Sequence, residues 1–152
     1  MPSRLKPSTT QAIACLAASL LTPIAPALSY GADLTVLIDN VSDDSGHVLA
    51  AIFDKPDTFP NAMLRGERVA AKERDSTGRV RLMFTGLAPG RYAVSAFHDR
   101  DDNGKLNANM MGLPTEPYGF SRDAKGSFGP PAFEDAAVDV PEAGLTITLR
   151  VQ

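Results

Sequence analysis

The run Arg79-Val-Arg-Leu-Met-Phe-Thr-Gly-Leu87 alternates cleanly, with Val80, Leu82 and Phe84 on one side and Arg79, Arg81 and Met83 on the other. Successive side chains of a strand point to opposite faces, so this period of two specifies a half-buried strand and excludes a helix. After the tight turn Ala88-Pro-Gly90 the pattern resumes. Tyr92, Val94, Ala96 and His98 share one face, and Ala93, Ser95 and Phe97 share the other. Similar β-rich runs lie at 33–41, 47–54, 67–74, 136–140 and 145–151. The turn Ser42-Asp-Asp-Ser-Gly46 between the first two predicts that they pair as a hairpin. Residues 55–65, with Pro56 and Pro60 around Phe59, read as a loop or a single helical turn. No stretch sustains a helical period. The fold expected is all-β, a single Ig-like or prealbumin-like antiparallel β-sandwich with one long irregular loop segment at 105–135. The aromatics of that segment, Tyr118, Phe120, Phe128 and Phe133, argue against disorder and for packing over one end or face of the sandwich.

Residues 1–29 read differently. Arg4 and Lys6 form a basic leader, residues 12–28 are an apolar run broken by Pro23 and Pro26, and the small residues Ala27 and Ser29 suit cleavage after about Ser29. The run is short for a membrane span and no stop-transfer pattern follows, so a secretory signal is expected, with residues 30–152 as the β-sandwich domain. Cys15 lies near the start of the apolar run rather than after it, which speaks against a lipoprotein. Cleavage removes Cys15, the single cysteine, and so excludes disulfides, thiolate catalysis and zinc-thiolate sites from the mature chain. Taking Arg4 and Lys6 from the 15 basic residues leaves 13 against 18 acidic ones, a net charge of −5. That balance argues against nucleic acid and anionic membrane surfaces as partners. The expected location is the periplasm or the exterior.

Most of the unusual chemistry lies in His98-Asp-Arg-Asp-Asp-Asn-Gly-Lys-Leu-Asn-Ala-Asn109. Asp99, Asp101 and Asn103 alternate and Gly104 follows, the spacing of the first half of a calcium loop. Calcium takes six to eight oxygens, so alternate side chains can wrap it while a glycine makes the sharp turn. Lys105 would contribute its carbonyl, and Asn107 stands at the ninth position. Position twelve, where a bidentate Glu is expected, is Met110; Glu116 is the acid that would have to fold back to replace it. A second reading stands beside this one. Asn-Gly is a strong hairpin signal, and Asp and Asn cap their own turns, so residues 99–107 also read as a polar hairpin tip that binds nothing. If a cation binds, an all-oxygen donor set favours calcium.

Four blocks carry a family resemblance. They are Leu87-Ala-Pro-Gly-Arg-Tyr-Ala-Val94, the loop from His98 to Asn109, Gly112-Leu-Pro-Thr-Glu-Pro-Tyr-Gly-Phe-Ser121, and Gly129-Pro-Pro-Ala-Phe-Glu-Asp-Ala-Ala137. Together they resemble the bacterial family known as domain of unknown function 2141, over nearly the whole mature chain. The resemblance implies a small exported β protein and supplies neither substrate nor catalytic residue. The family's usual Asp after Lys-Leu is Asn107 here, which removes a charge from the loop, and its frequent Asn after Gly-Phe-Ser is Arg122.

The functional expectation is a binding or accessory protein of the cell envelope, presenting its loop surface to an envelope protein, a glycan or a small ligand. His98, Tyr118 and Phe120 are the candidate ligand-facing side chains. Two rivals remain open: a hydrolase using His98 with Asp99 or Glu116, and a purely structural envelope protein. No nucleophile elbow G-x-S-x-G occurs, and Ser121 has no partner fixed by spacing.

Overall fold

The computed structural model describes residues 31–152, so the signal-peptide reading of residues 1–29 falls outside the described residues. Strand β1 (Ala32–Asp39) runs between β4 (Val80–Leu87) and β8 (Leu145–Arg150) in a three-stranded sheet. The second, five-stranded sheet has the order β3 (Arg65–Ala70), β2 (His47–Phe53), β5 (Gly90–Asp99), β6 (Tyr118–Phe120), with β7 (Val138–Val140) also paired to β5. The protein is therefore the all-β sandwich expected.

The alternation decides the core. Leu34, Val36 and Ile38 of β1 and Leu82 and Phe84 of β4 face Val48, Ala50, Ile52, Tyr92 and Val94 of the opposite sheet, all buried. Each fully buried aliphatic or Phe side chain contributes about 1.5–3 kcal/mol of transfer free energy, which makes this layer the main stabilising element.

The hairpin expected between β1 and β2 does not form. β1 pairs with β4 and β8, whereas β2 pairs with β3 and β5. Both strands bear an apolar face, and both faces meet the same core from opposite sheets. The connection between them crosses over, helped by left-handed backbone at Asn40 (φ 71°) and Gly46 (φ 61°). Asn40 fastens the crossing by donating its Nδ2 to the carbonyl of Val151 at 2.7 Å. One pairing departs from the antiparallel expectation, since β1 and β8 run parallel. The run expected at 67–74 is strand only from Arg65 to Ala70, and a 3-10 turn (Ala71–Glu73) then buries Ala71. At 136–140 a helical turn (Phe133–Ala136) precedes the short β7.

The long segment at 105–135 carries its own structure. Its strand β6 pairs with β5 on one side, and on the other Tyr118 and Gln152 exchange backbone hydrogen bonds of 3.3 and 3.1 Å that lace the chain end to the second sheet. Gly119 permits this approach, because a Cβ there would lie 2.1 Å from the carbonyl oxygen of Arg150. Behind β6, Phe59 meets Phe53, Phe120 and Phe133 edge to face, with centroids 5.1, 5.6 and 6.0 Å away. Such pairs add to area burial and fasten residues 55–65 and 118–136 to the outer face of the second sheet.

Candidate metal centre

Strand β5 delivers His98 and Asp99 into buried positions just before the Asp/Asn-rich loop. Gly46 lets the crossover lie against this strand end, since a Cβ there would stand 1.9 Å from the carbonyl oxygen of Asp99. His98 is fully buried and donates Nε2–H to the carbonyl of Ser45 at 2.8 Å. Its Nδ1 has no hydrogen-bond partner among the described residues.

Asp99, 1% exposed, accepts the backbone N–H of Asn103 on Oδ1 (3.1 Å) and that of Gly104 on Oδ2 (2.7 Å). Glu116, 8% exposed, accepts the N–H of Arg100 on Oε1 and that of Asn107 on Oε2, both at 2.9 Å. Asp101 is exposed, and its Oδ2 accepts the side-chain amides of Asn103 (3.0 Å) and Asn107 (2.9 Å). The bond from Asn107 holds the Asp101 carboxyl below the usual carboxylate range, against a smaller opposing effect of desolvation. Asn103 Oδ1 takes the N–H of Lys105, whose side chain is exposed.

Carboxylate oxygens of Asp99, Asp101 and Glu116 thus lie within 4.8 Å of one another. Glu116 stands where the linear motif lacks its twelfth ligand, while Met110 is fully exposed. Among the described residues no Lys, Arg or His pairs with any of the three. The neighbouring acids are matched instead, Asp43 by Arg100 at 3.3 Å and Asp102 by His47 at 2.6 Å and Arg68 at 3.5 Å. Three carboxylates this close repel one another, and the two buried ones also lose hydration. The backbone amides offset part of that cost. Each oxygen of Asp99 and Glu116 accepts one N–H and keeps further acceptor capacity, which an all-oxygen cluster offers to a hard cation.

Of the three expected ligand-facing groups, His98 and Phe120 are buried, although Phe120 also lines a groove on the outer face of the second sheet. His98 occupies an inward position of β5, and Phe120, 8% exposed, joins the aromatic cluster. Tyr118 stays half exposed and packs edge-on to Phe120 at 6.1 Å. No hydrogen bond among the described residues joins His98 to Asp99 or Glu116. The Ser121 hydroxyl is wholly buried and bonded to backbone groups of Val94 and Ala136. Spacing gave no signal for the part played by the Arg100 N–H, nor for the His47, Asp102 and Arg68 group. The His47 group follows from the pairing of β2 with β5 and β3, and the Arg100 contact from the return of the chain to β5 through β6.

Residues 36–148 match the family described as "Uncharacterized protein conserved in bacteria (DUF2141)". The chain belongs to this family. The matched span runs from β1 into β8 and includes the whole carboxylate cluster, so the DUF2141 region and the folded sandwich are nearly the same stretch. Neither a curated protein nor a solved structure matches this DUF2141 chain.

Proposed function

We propose that this protein is an exported binding or accessory module of the cell envelope whose loop at 99–116 is closed by a bound calcium ion. The observation that carries the reading is the approach of Asp99, Asp101 and Glu116 to within 4.8 Å, with no basic side chain paired to them among the described residues. Asp99, Asp101 and Glu116 would supply carboxylates, Asn103 and Asn107 side-chain oxygens, and Lys105 its carbonyl. The cation would cancel the mutual repulsion and tie the start of the loop to Glu116, so that residues between them hold one shape. Function then lies in presenting that ordered surface to an envelope protein, a glycan or a small ligand. Export rests on the basic leader, apolar run and small-residue site of residues 1–29.

Isothermal titration of the exported chain with calcium chloride tests the reading. One ion per chain is expected, with magnesium binding more weakly because it demands a tighter octahedral shell. Asp101→Ala should remove the heat. Absence of heat in the wild-type chain at millimolar calcium would refute the cation.

A further inference from the structure

The outer face of the second sheet carries a groove that the cation site does not use. It lies between residues 106–114 on one side and 126–130 on the other, with Ser95, Phe97 and Tyr118 in its lining, and it encloses about 790 Å³. That volume falls within the roughly 300–1,000 Å³ of small-molecule sites. Its lining is unusual for this chain. Among the described residues no charged side chain lines it, although 22% of the sequence is Asp, Glu, Lys or Arg. Among the described residues the hydroxyls of Ser95, Tyr118 and Ser127 are its only side-chain polar groups, and backbone groups supply the rest of its polar surface. Met111, Leu113 and Phe128 stand at its walls with 83%, 57% and 106% of their surface exposed. Exposed apolar groups gathered at one site mark a binding surface, and methionine adapts its shape to an irregular ligand.

We infer that this groove binds an uncharged, hydrocarbon-rich small molecule carrying at most a hydroxyl or carbonyl. The lining decides the class. A sugar would find three side-chain hydroxyls and otherwise only backbone groups in the lining, fewer directed partners than its many hydroxyls need. An anionic or cationic ligand would find no counter-charge in the lining. A hydrocarbon needs neither, and its release from water alone drives entry. The inference deepens the binding-module reading by naming its ligand class, and it does not require the cation.

The test uses N-phenyl-1-naphthylamine, an uncharged probe whose fluorescence rises in apolar surroundings, titrated into the exported chain in calcium and in EDTA. The wild-type chain should show a saturable rise with a micromolar Kd. Leu113→Asp, an exposed position, should weaken uptake tenfold or more with the fold unchanged by circular dichroism. Ser95→Trp should do the same by filling the groove from β5. No saturable rise in either buffer would overturn the inference, as would equal uptake by Leu113→Asp. If Leu113→Asp only converts a sedimenting dimer to monomer, with uptake unchanged, the face is an interface between copies and the ligand assignment falls. Calcium heat without probe uptake removes the groove and keeps the cation; uptake in EDTA without calcium heat does the reverse.

Discussion

Glu116 accepts the backbone N–H of Asn107 on Oε2 at 2.9 Å and so closes the loop across nine residues of chain. Its other oxygen takes the N–H of Arg100, so one carboxylate holds both ends of the Asp/Asn-rich stretch. The side chain therefore has a structural task even before any cation is considered.

Glu116→Ala leaves two amides without an acceptor. A buried unmet donor costs about 1–3 kcal/mol, and partial access of water here brings the expected total to about 2 kcal/mol. Glu116→Gln keeps one acceptor oxygen and should cost about half as much. Urea unfolding of both variants checks the order; equal stability of wild type and Glu116→Ala would show that the clamp is idle.

Gly119→Ala should be among the costlier single changes, about 3 kcal/mol. Its methyl would sit 2.1 Å from a backbone oxygen of Arg150, which no side-chain rotation relieves, and β6 would part from Gln152. Gly129→Ala is the control, because a methyl there meets nothing within 4 Å. Thermal unfolding of the pair should separate them by many degrees, and similar midpoints would contradict the packing described.

Acid should weaken the sandwich partly through Asp39. Hydrogen bonds from the Arg79 guanidinium, Nε to Oδ1 and Nη2 to Oδ2, hold the Asp39 carboxyl below its ordinary value of 3.8, with burial opposing. A group depressed in the folded state stabilises above its unfolded pKa, and that stability is lost as pH falls through the folded pKa. Asp39→Asn should thus cost about 1 kcal/mol at pH 7, discounted because Arg79 is partly exposed, and the gap should narrow as pH falls below the ordinary value of 3.8. Urea midpoints at pH 7 and pH 2 measure it. A gap that persists at low pH would mean that lost packing, not charge, explains the effect.

The fold was legible where the sequence has a clean period. Arg79–Leu87 and Tyr92–His98 show their inward sets directly, and Val80, Leu82, Phe84, Tyr92, Val94 and Ala96 are all buried as the alternation requires. Alternation reports which side chains face the core but not which sheet a strand joins, so the pairing of β1 with β4 and β8 instead of β2 has no signal in it. Strand β6 has three residues and a central glycine, too short to show any period. The cluster was half legible. Asp99, Asp101 and Asn103 follow a local spacing, whereas Glu116 reaches them only because β5 and β6 pair and bring the chain back.

Export after Ser29 predicts a mature chain beginning at Tyr30. Intact-mass measurement of the protein from the periplasmic or culture fraction checks this, and a full-length chain confined to the cytoplasm would contradict the location proposed.

Thermal unfolding of the chain from Tyr30 onward, first in EDTA and then in millimolar calcium, tests the central claim most directly. A ligand that binds only the native state adds RT ln(1 + [L]/Kd), about 2.7 kcal/mol at a hundredfold excess over Kd, enough to raise the midpoint by several degrees. The account predicts that rise for the wild-type chain and its loss in Asp101→Ala. An identical midpoint in EDTA and calcium would reduce Asp99, Asp101 and Glu116 to a loop held by backbone amides alone.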